Sequence, residues 1–479
     1  SNPRSIRVFS RNEYLQVNMR RKFNDSRLRF MVGDIRDRER LEAVMSGVDY
    51  VIHTAALKHV LTGETNPQEV VKTNVQGSTN GSVFSRGSIM AGDYVLHLDQ
   101  LDYVRLANLD LAGGYYGCYM RLADHVVFSN MTFRNAANAG LYLHTSDNNL
   151  LSRCSIYSCY GGLWAGGSAN TLRNCLVWSN ASYGVHLDGS TTNRIENCTI
   201  VRNGRPGLDN QYQVEFQQSG YIWNSILIAS GSNVQCYGNS TLSAHYSGDY
   251  NNLYATGGAR IADGCVSLAA WKSASGQEQH SLSRSPHFVA GSDFHLQSSA
   301  PSGTFVMATG LWTAFPTNSP GIDNGDVDAS NLQEPEPNGD LLNQGAYGNT
   351  EQASRSMDTD DEGLSDPFEM YSFGTSITNR DTDGDGMTDY DEFVAATDPL
   401  NPIQCFETIG MYPIDPITGG LIIQWPSARN RWYSISSTTN LMIPFTFVVT
   451  NIPGTPPANT CTVIVSQAEQ TFLRIEVHR

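Results

Sequence analysis

Between residues 101 and 255, apolar and polar positions alternate in runs of two to five residues, each broken by Gly, Asn or Ser. That is the period of strands rather than the 3.6-residue period of helices. The runs also recur. Segments starting at Asn108, Asn130, Arg153, Asn174, Asn197 and Asn224 align with steps of 22, 23, 21, 23 and 27 residues. A second register, starting at Gly117, Gly140, Gly162 and Gly184, advances by 23, 22 and 22. Two registers sharing one period mark an internal repeat. A single unit of this size cannot bury its inward face alone, so the units must stack.

A stack of such coils predicts a right-handed parallel β-helix over residues 81–260, in a chain that is mainly β. The Gly-x-x-Leu…Ser…Asn…Asn pattern resembles the β-helix repeats of polysaccharide lyases and bacterial surface proteins over roughly residues 85–260. That resemblance speaks to fold far more than to activity.

Alternation within the Gly-x-x-Leu strand points Cys118, Met120, Leu141, Leu143, Leu163, Ala165, Val185 and Leu187 inward. The outward column is Tyr119, Tyr142, Trp164 and His186, continued past an insertion at 205–210 by Glu215. A second outward column reads Arg121, His144, Gly166, Asp188 and Gln217. Coils stack at roughly 4.8 Å, so five of them make a strip long enough for several sugar rings. Tyr119, Tyr142, Trp164 and His186 are the candidate substrate-binding residues. Arg121, His144, Asp188 and Glu215 are the candidate catalytic ones. A lyase needs a cation to neutralise a uronate and a base to take a proton, roles open to Arg121 and His144. A hydrolase needs paired carboxylates, open to Asp188 and Glu215. An aromatic ladder that only stiffens the sheet accounts for the same columns, and a purely structural or adhesive surface protein is the alternative reading.

Residues 1–80 lie outside the repeat. Ile6–Phe9 and Leu28–Val32 read as strands, Tyr14–Phe23 and Arg38–Met45 as helices, and Val48–His53 as a buried strand. Alternating strands and helices imply a parallel, Rossmann-like α/β unit. Ser10-Arg11-Asn12-Glu13, Gly33-Asp34-Ile35-Arg36-Asp37, Ala55-Ala56-Leu57-Lys58-His59-Val60 and Asn66-Pro67…Thr73-Asn74 resemble short-chain dehydrogenase/reductases, specifically UDP-N-acetylglucosamine 4,6-dehydratases of polysaccharide biosynthesis. The resemblance implies that Ser10 and Arg11 meet the 2′-phosphate of NADP, that Asp34 and Ile35 flank the adenine, and that Ala55 and Ala56 lie along the cofactor. The Gly-rich turn of that family is not met ahead of Ser10, and its Tyr-x-x-x-Lys pair is not met after Asn80. The segment therefore reads as a partial, non-catalytic Rossmann-like unit that does not bind NAD(P) productively.

Residues 261–356 lose the strict period and read as a closing segment for the solenoid. Residues 357–402 carry a sharper signal. Asp381-x-Asp383-x-Asp385-Gly386 followed by Asp389 and Glu392 puts oxygen ligands at positions 1, 3, 5, 9 and 12 of a calcium loop, with the Met387 carbonyl at 7. A second copy lies 23 residues earlier: Asp358, Asp360, Glu362, the Leu364 carbonyl, Asp366 and Glu369. The surrounding Gly374-Thr375, Asn379-Arg380-Asp381 and Thr397-Asp398-Pro399 resemble thrombospondin type 3 repeats of secreted proteins. Residues 403–479 return to alternating runs, at 421–425, 432–435, 445–449, 461–465 and 472–477, and read as a small β-sandwich.

Charge divides the chain. Residues 1–80 hold 13 Lys/Arg and 9 Asp/Glu, a net of +4, while the whole carries −16, which leaves −20 on the remainder. An acidic body argues against nucleic acid. Nine cysteines cannot all pair internally, and Cys154, Cys175 and Cys198 fall at equivalent inward positions as a ladder of buried thiols. No run of 18 apolar residues is present to span a membrane. There is no signal peptide and no initiating Met, so a further N-terminal stretch is expected. The combined expectation is a secreted or surface monomer that meets a polysaccharide or cell-surface glycan and binds calcium.

Overall fold

The computed structural model describes residues 4–34, 37, 40, 43–44, 83–86, 90, 92–188, 192–209, 211–238, 246–415, 420–464 and 470–479. They form two compact units, residues 1–295 with 343–352, and residues 296–342 with 353–479. The division falls inside the closing segment expected at 261–356.

The first unit holds the repeat, which is a parallel β-solenoid. Its three sheets have seven, seven and eight strands, and each strand pairs in parallel with its equivalent one coil on. The first sheet comprises Tyr94–Asp99, Tyr116–Arg121, Ala139–His144, Gly161–Ala165, Tyr183–Leu187, Gln211–Phe216 and Val234–Tyr237. The second runs from Arg105–Ala107 to Tyr246–Asp249, and the third from Val83–Arg86 to Asn252–Thr256.

The two sequence registers have separate physical causes. Asn108, Asn130, Arg153, Asn174, Asn197 and Asn224 turn the chain from second sheet to third, with φ between 49° and 57°. Asn enters this left-handed region more readily than most residues with a Cβ. Gly117, Gly140, Gly162 and Gly184 answer to close approach instead. A Cβ on Gly162 would lie 2.2 Å from the Gly184 carbonyl oxygen, and one on Gly117 2.5 Å from that of Gly140.

Inward side chains fill one continuous core in which Cys118, Met120, Leu141, Leu143, Leu163, Ala165, Val185 and Leu187 are all buried. Polar ladders satisfy the buried backbone at the corners. The Cys175 N–H donates to Cys198 Sγ at 3.4 Å, and the Cys198 N–H to Ser225 Oγ at 3.1 Å. At another corner the Asn149 N–H and side-chain amide both donate to Asn170 Oδ1 at 3.0 Å.

One helix, Leu268–Ser275, is not foreseen by the strand period. The Ser267 hydroxyl caps its start, Gly276 closes it at φ 70°, and Leu268 and Trp271 join the solenoid core. Beside it, buried Glu278 accepts hydrogen bonds from Tyr237, Tyr246, Asn251 and Ser281. Residues 343–352 run along the asparagine corner, where the Asn174 side chain donates to the Ala346 and Gly348 carbonyls.

At the N-terminus, strands Ile6–Ser10 and Leu28–Val32 pair in parallel around helix Glu13–Phe23. The helix expected at 38–45 lies mostly outside the described residues, and the strand at 48–53 lies wholly outside them.

In the second unit, two three-stranded antiparallel sheets share a core of Ile423, Trp425, Tyr433, Ile435 and Val463. A sixth strand, Gly410–Asp415, joins the five runs read from sequence. Proline at 413 and exposed apolar side chains obscured its alternation. No helix among the described residues is long and apolar enough to cross a membrane.

Candidate functional site

The first sheet brings the outward column together. Tyr119 pairs with Tyr142, Tyr142 with Trp164, Trp164 with His186, and His186 with Glu215. The four rings are half-buried, and their planes are nearly parallel. Tyr119 and Tyr142 have centroids 5.4 Å apart at 6°, Tyr142 and Trp164 4.3 Å at 6°, and Trp164 and His186 6.0 Å at 9°. The rings meet one another face to face along the stack, so the strip offers ring edges and phenolic hydroxyls rather than open flat faces.

The column extends further than the sequence suggested. His97 precedes Tyr119 in register. Tyr94 and Tyr116, then Tyr183 and Tyr212, pair in a neighbouring column that strict alternation misses, because Gly117–Cys118 and Gly184–Val185 are each two consecutive buried residues; Tyr212 is itself buried. Between them Ala139 and Gly161 leave room, and the Tyr183 ring covers Gly161.

At the far end His186 Nδ1 lies 2.7 Å from Glu215 Oε2 and 2.7 Å from Tyr212 Oη. Burial alone would raise Glu215, but hydrogen bonds from His186 and Tyr212 outweigh it and hold the carboxyl below the ordinary glutamate range. A glycosidase acid needs the opposite shift. Glu215 therefore fits an ionised group that orients His186, not the acid of a carboxylate pair. Burial and the nearby Glu215 charge push the Tyr212 phenol far up.

The second column is mixed. Arg121 is held by Asp99, its Nη2 2.8 Å from Oδ1 and 2.9 Å from Oδ2, so its charge is already matched. It is not the free cation that a uronate would require. His144 and Asp188 are exposed, and the Trp164 ring lies over Gly166 between them.

In the second unit the acidic loops gather oxygens. Asp360, Glu362 and Glu369 converge in the first copy and Asp381, Asp383 and Asp385 in the second, each trio with ligand atoms within 4.8 Å of one another. Both oxygens of Asp360 and one each of Glu362, Glu369, Asp383, Asp385 and Glu392 are buried without a hydrogen-bond partner among the described residues. Burial, reinforced by neighbouring carboxylates, pushes Glu362 and Glu392 up to about 7 and Glu369 up to about 8. Orphaned hard oxygens around a turn suit a divalent cation such as calcium. Asp358 and Asp381 also brace the turns, accepting the Gly363 and Gly386 N–H groups at 2.8 and 2.9 Å. Asp366 and Asp389 each accept both the N–H and the hydroxyl of a threonine, Thr359 and Thr382. The loops are linked: Tyr390 N–H donates to Glu362 Oε2 at 2.7 Å, and Arg380 donates to the Asp360 carbonyl at 2.6 Å.

Of the nucleotide-site candidates, Arg11 Nη1 lies 3.5 Å from Asp34 Oδ2, and Ser10 accepts from the buried Gln16 amide. Ile35, Ala55 and Ala56 lie outside the described residues.

Comparison with known proteins separates the two parts of the first unit. Residues 95–258 match the family model described as the right handed beta helix region. This stretch is a right-handed β-helix. Residues 1–87 match the model of polysaccharide biosynthesis proteins. There the chain is 49% identical over 78 residues to a UDP-N-acetylglucosamine 4,6-dehydratase (inverting) of Campylobacter jejuni, covering 16% of this chain and 23% of that protein. It is 48% identical over 77 residues to a UDP-glucose 4-epimerase of Rickettsia prowazekii, with the same shares. The chain thus spans about a quarter of the length of these relatives. Among solved structures, an alginate lyase from a Paenibacillus species aligns at TM-score 0.34 and 16% identity, covering 39% of this chain and 72% of that one. A pectate lyase aligns at TM-score 0.33 and 14% identity, covering 72% and 96%. At such scores the β-helix assignment rests on the strand register and the family model.

Proposed function

We propose that this chain is a secreted or surface protein whose β-helix binds a polysaccharide along the strip from His97 to Glu215, and which also carries a calcium-stabilised module. The observation that carries this reading is the strip itself. Hydroxyl and imidazole groups stand at one-coil intervals on paired strands in strict register, exposed at His97, half-buried from Tyr119 to His186, and ending at the buried carboxylate of Glu215. Hydrogen-bonding edges at a spacing of roughly 4.8 Å suit a ligand that repeats along its own length. The His186–Glu215 pair gives the strip a base at one end, and this is the feature that favours chemistry beyond binding.

The acidic loops would hold calcium through Asp360, Glu362 and Glu369 in one copy and Asp381, Asp383, Asp385 and Glu392 in the other. Bound there, the ion would neutralise carboxylates that otherwise repel. The competing reading, a structural surface protein without a ligand, is favoured by the face-to-face packing of the rings. A panel of polysaccharides decides between them, screened for retention of the purified chain and for new reducing or unsaturated ends. Retention on at least one polysaccharide is expected, and none on any would leave the structural reading.

A further inference from the structure

The charge of the strip has a direction. Its seven strands contain one arginine, Arg121, and no lysine, and Arg121 is matched by Asp99. Glu215 and Asp188 add carboxylates at the opposite end. The corner that follows the strip carries a third series. Asp102 Oδ1 accepts the Asp124 N–H at 3.0 Å, Asp124 Oδ1 accepts the Asp147 N–H at 2.7 Å, and Asp147 Oδ1 accepts the Ser168 N–H at 2.7 Å. Each aspartate thus stands one coil above the last, and the backbone fixes its position. Like charges stacked at this interval repel, and an anion laid along them is repelled as well.

Resting on the polysaccharide reading above, we propose that the strip takes a linear polysaccharide whose sugars carry amino groups, and that it disfavours polyuronates. The strip supplies the hydrogen-bonding edges. The aspartate line beside it supplies a negative charge at each of three successive coils, against which protonated amines on successive sugars are stabilised. A uronate polymer would instead need unpaired cations, and the strip's strands offer none among the described residues. The polarity is thus opposite to that required by β-elimination next to a carboxylate, which needs a cation at the uronate.

The test is calorimetric titration of the whole chain with three oligosaccharides of equal length: glucosamine oligomers with protonated amines, their neutral N-acetylated counterparts, and oligogalacturonate. The expected order is glucosamine first, neutral second and galacturonate last, with the first advantage erased by high salt. Asp124→Asn and Asp147→Asn keep the Oδ1 that accepts the backbone N–H and remove only the charge. Each should weaken glucosamine binding by about threefold to fivefold and leave the neutral oligomer unchanged. Galacturonate bound as tightly as glucosamine, a preference for the neutral oligomer, or no effect of either substitution would overturn the charge inference while leaving polysaccharide binding in place. Binding of none of the three would overturn the charge inference, and the polysaccharide panel would then decide the binding reading by itself.

Discussion

His186 Nδ1 and Glu215 Oε2 lie 2.7 Å apart, across adjacent coils that the sequence separates by 29 positions. The hydrogen bonds from His186 and Tyr212 keep Glu215 ionised in spite of burial, so its folded-state pKa sits below the unfolded value. A depressed carboxyl contributes stability that is present above the unfolded pKa and lost as pH falls through the folded one. Thermal midpoints should therefore drop on acidification below about pH 5, in the ordinary glutamate range. Glu215→Gln should lower the neutral-pH midpoint and flatten that acid slope. Equal slopes in the two proteins would show that the pair is not coupled to folding.

Trp164 touches two rings and also borders the strip, so its removal has two readable effects. Trp164→Ala should cost about 0.5–1.5 kcal/mol for each stacked pair lost, read by urea unfolding. As a central contact it should also weaken oligosaccharide binding by about 1–3 kcal/mol. Loss of stability with unchanged affinity per folded molecule would mark the ladder as purely structural.

Gly162 has no room for a methyl group, because a Cβ there would meet the Gly184 carbonyl oxygen at 2.2 Å. Both partners are backbone, so relief requires the coils to part. Gly162→Ala should destabilise the solenoid by roughly 1–3 kcal/mol or more. A denaturation midpoint matching the parent protein would refute the close-approach account of the glycine register.

Calcium removal should loosen the acidic loops far more than the solenoid. With chelator, proteolysis should concentrate in residues 357–402, and added calcium should suppress it. Glu369→Gln and Glu392→Gln should reduce that protection by removing a buried carboxylate from each copy. Identical digestion patterns with and without calcium would count against the metal.

All nine cysteines are free thiols, seven of them buried and only Cys405 and Cys461 partly exposed. Burial also pushes Cys159 and Cys236 up to about 12, where thiolate is scarce at neutral pH. A thiol reagent should modify about two residues promptly in the folded protein, and all nine after unfolding. Rapid native labelling of the solenoid thiols would contradict the packed ladder.

The linear pattern alone was enough to establish the solenoid. Its two registers report two local demands, a left-handed corner that asparagine satisfies and a backbone contact that only glycine permits. Both act on single residues, so both are visible residue by residue. Inside and outside were legible for the same reason, since alternation along a short strand is a local property. The acidic loops were legible because the carboxylates that converge in each lie within a few residues of one another in the chain. What the tertiary structure decided is everything that depends on which coil lies above which. Stacking turned the outward rings face to face and left their edges to solvent. It paired Arg121 with Asp99, and it set Tyr212 and Glu215 around His186. It also paired Tyr94 with Tyr116 and Tyr183 with Tyr212 beside the strip, and aligned Asp102, Asp124 and Asp147 into a line of charge. Those relations run across coils, between residues 20 to 30 positions apart, and no local pattern encodes the distance between them.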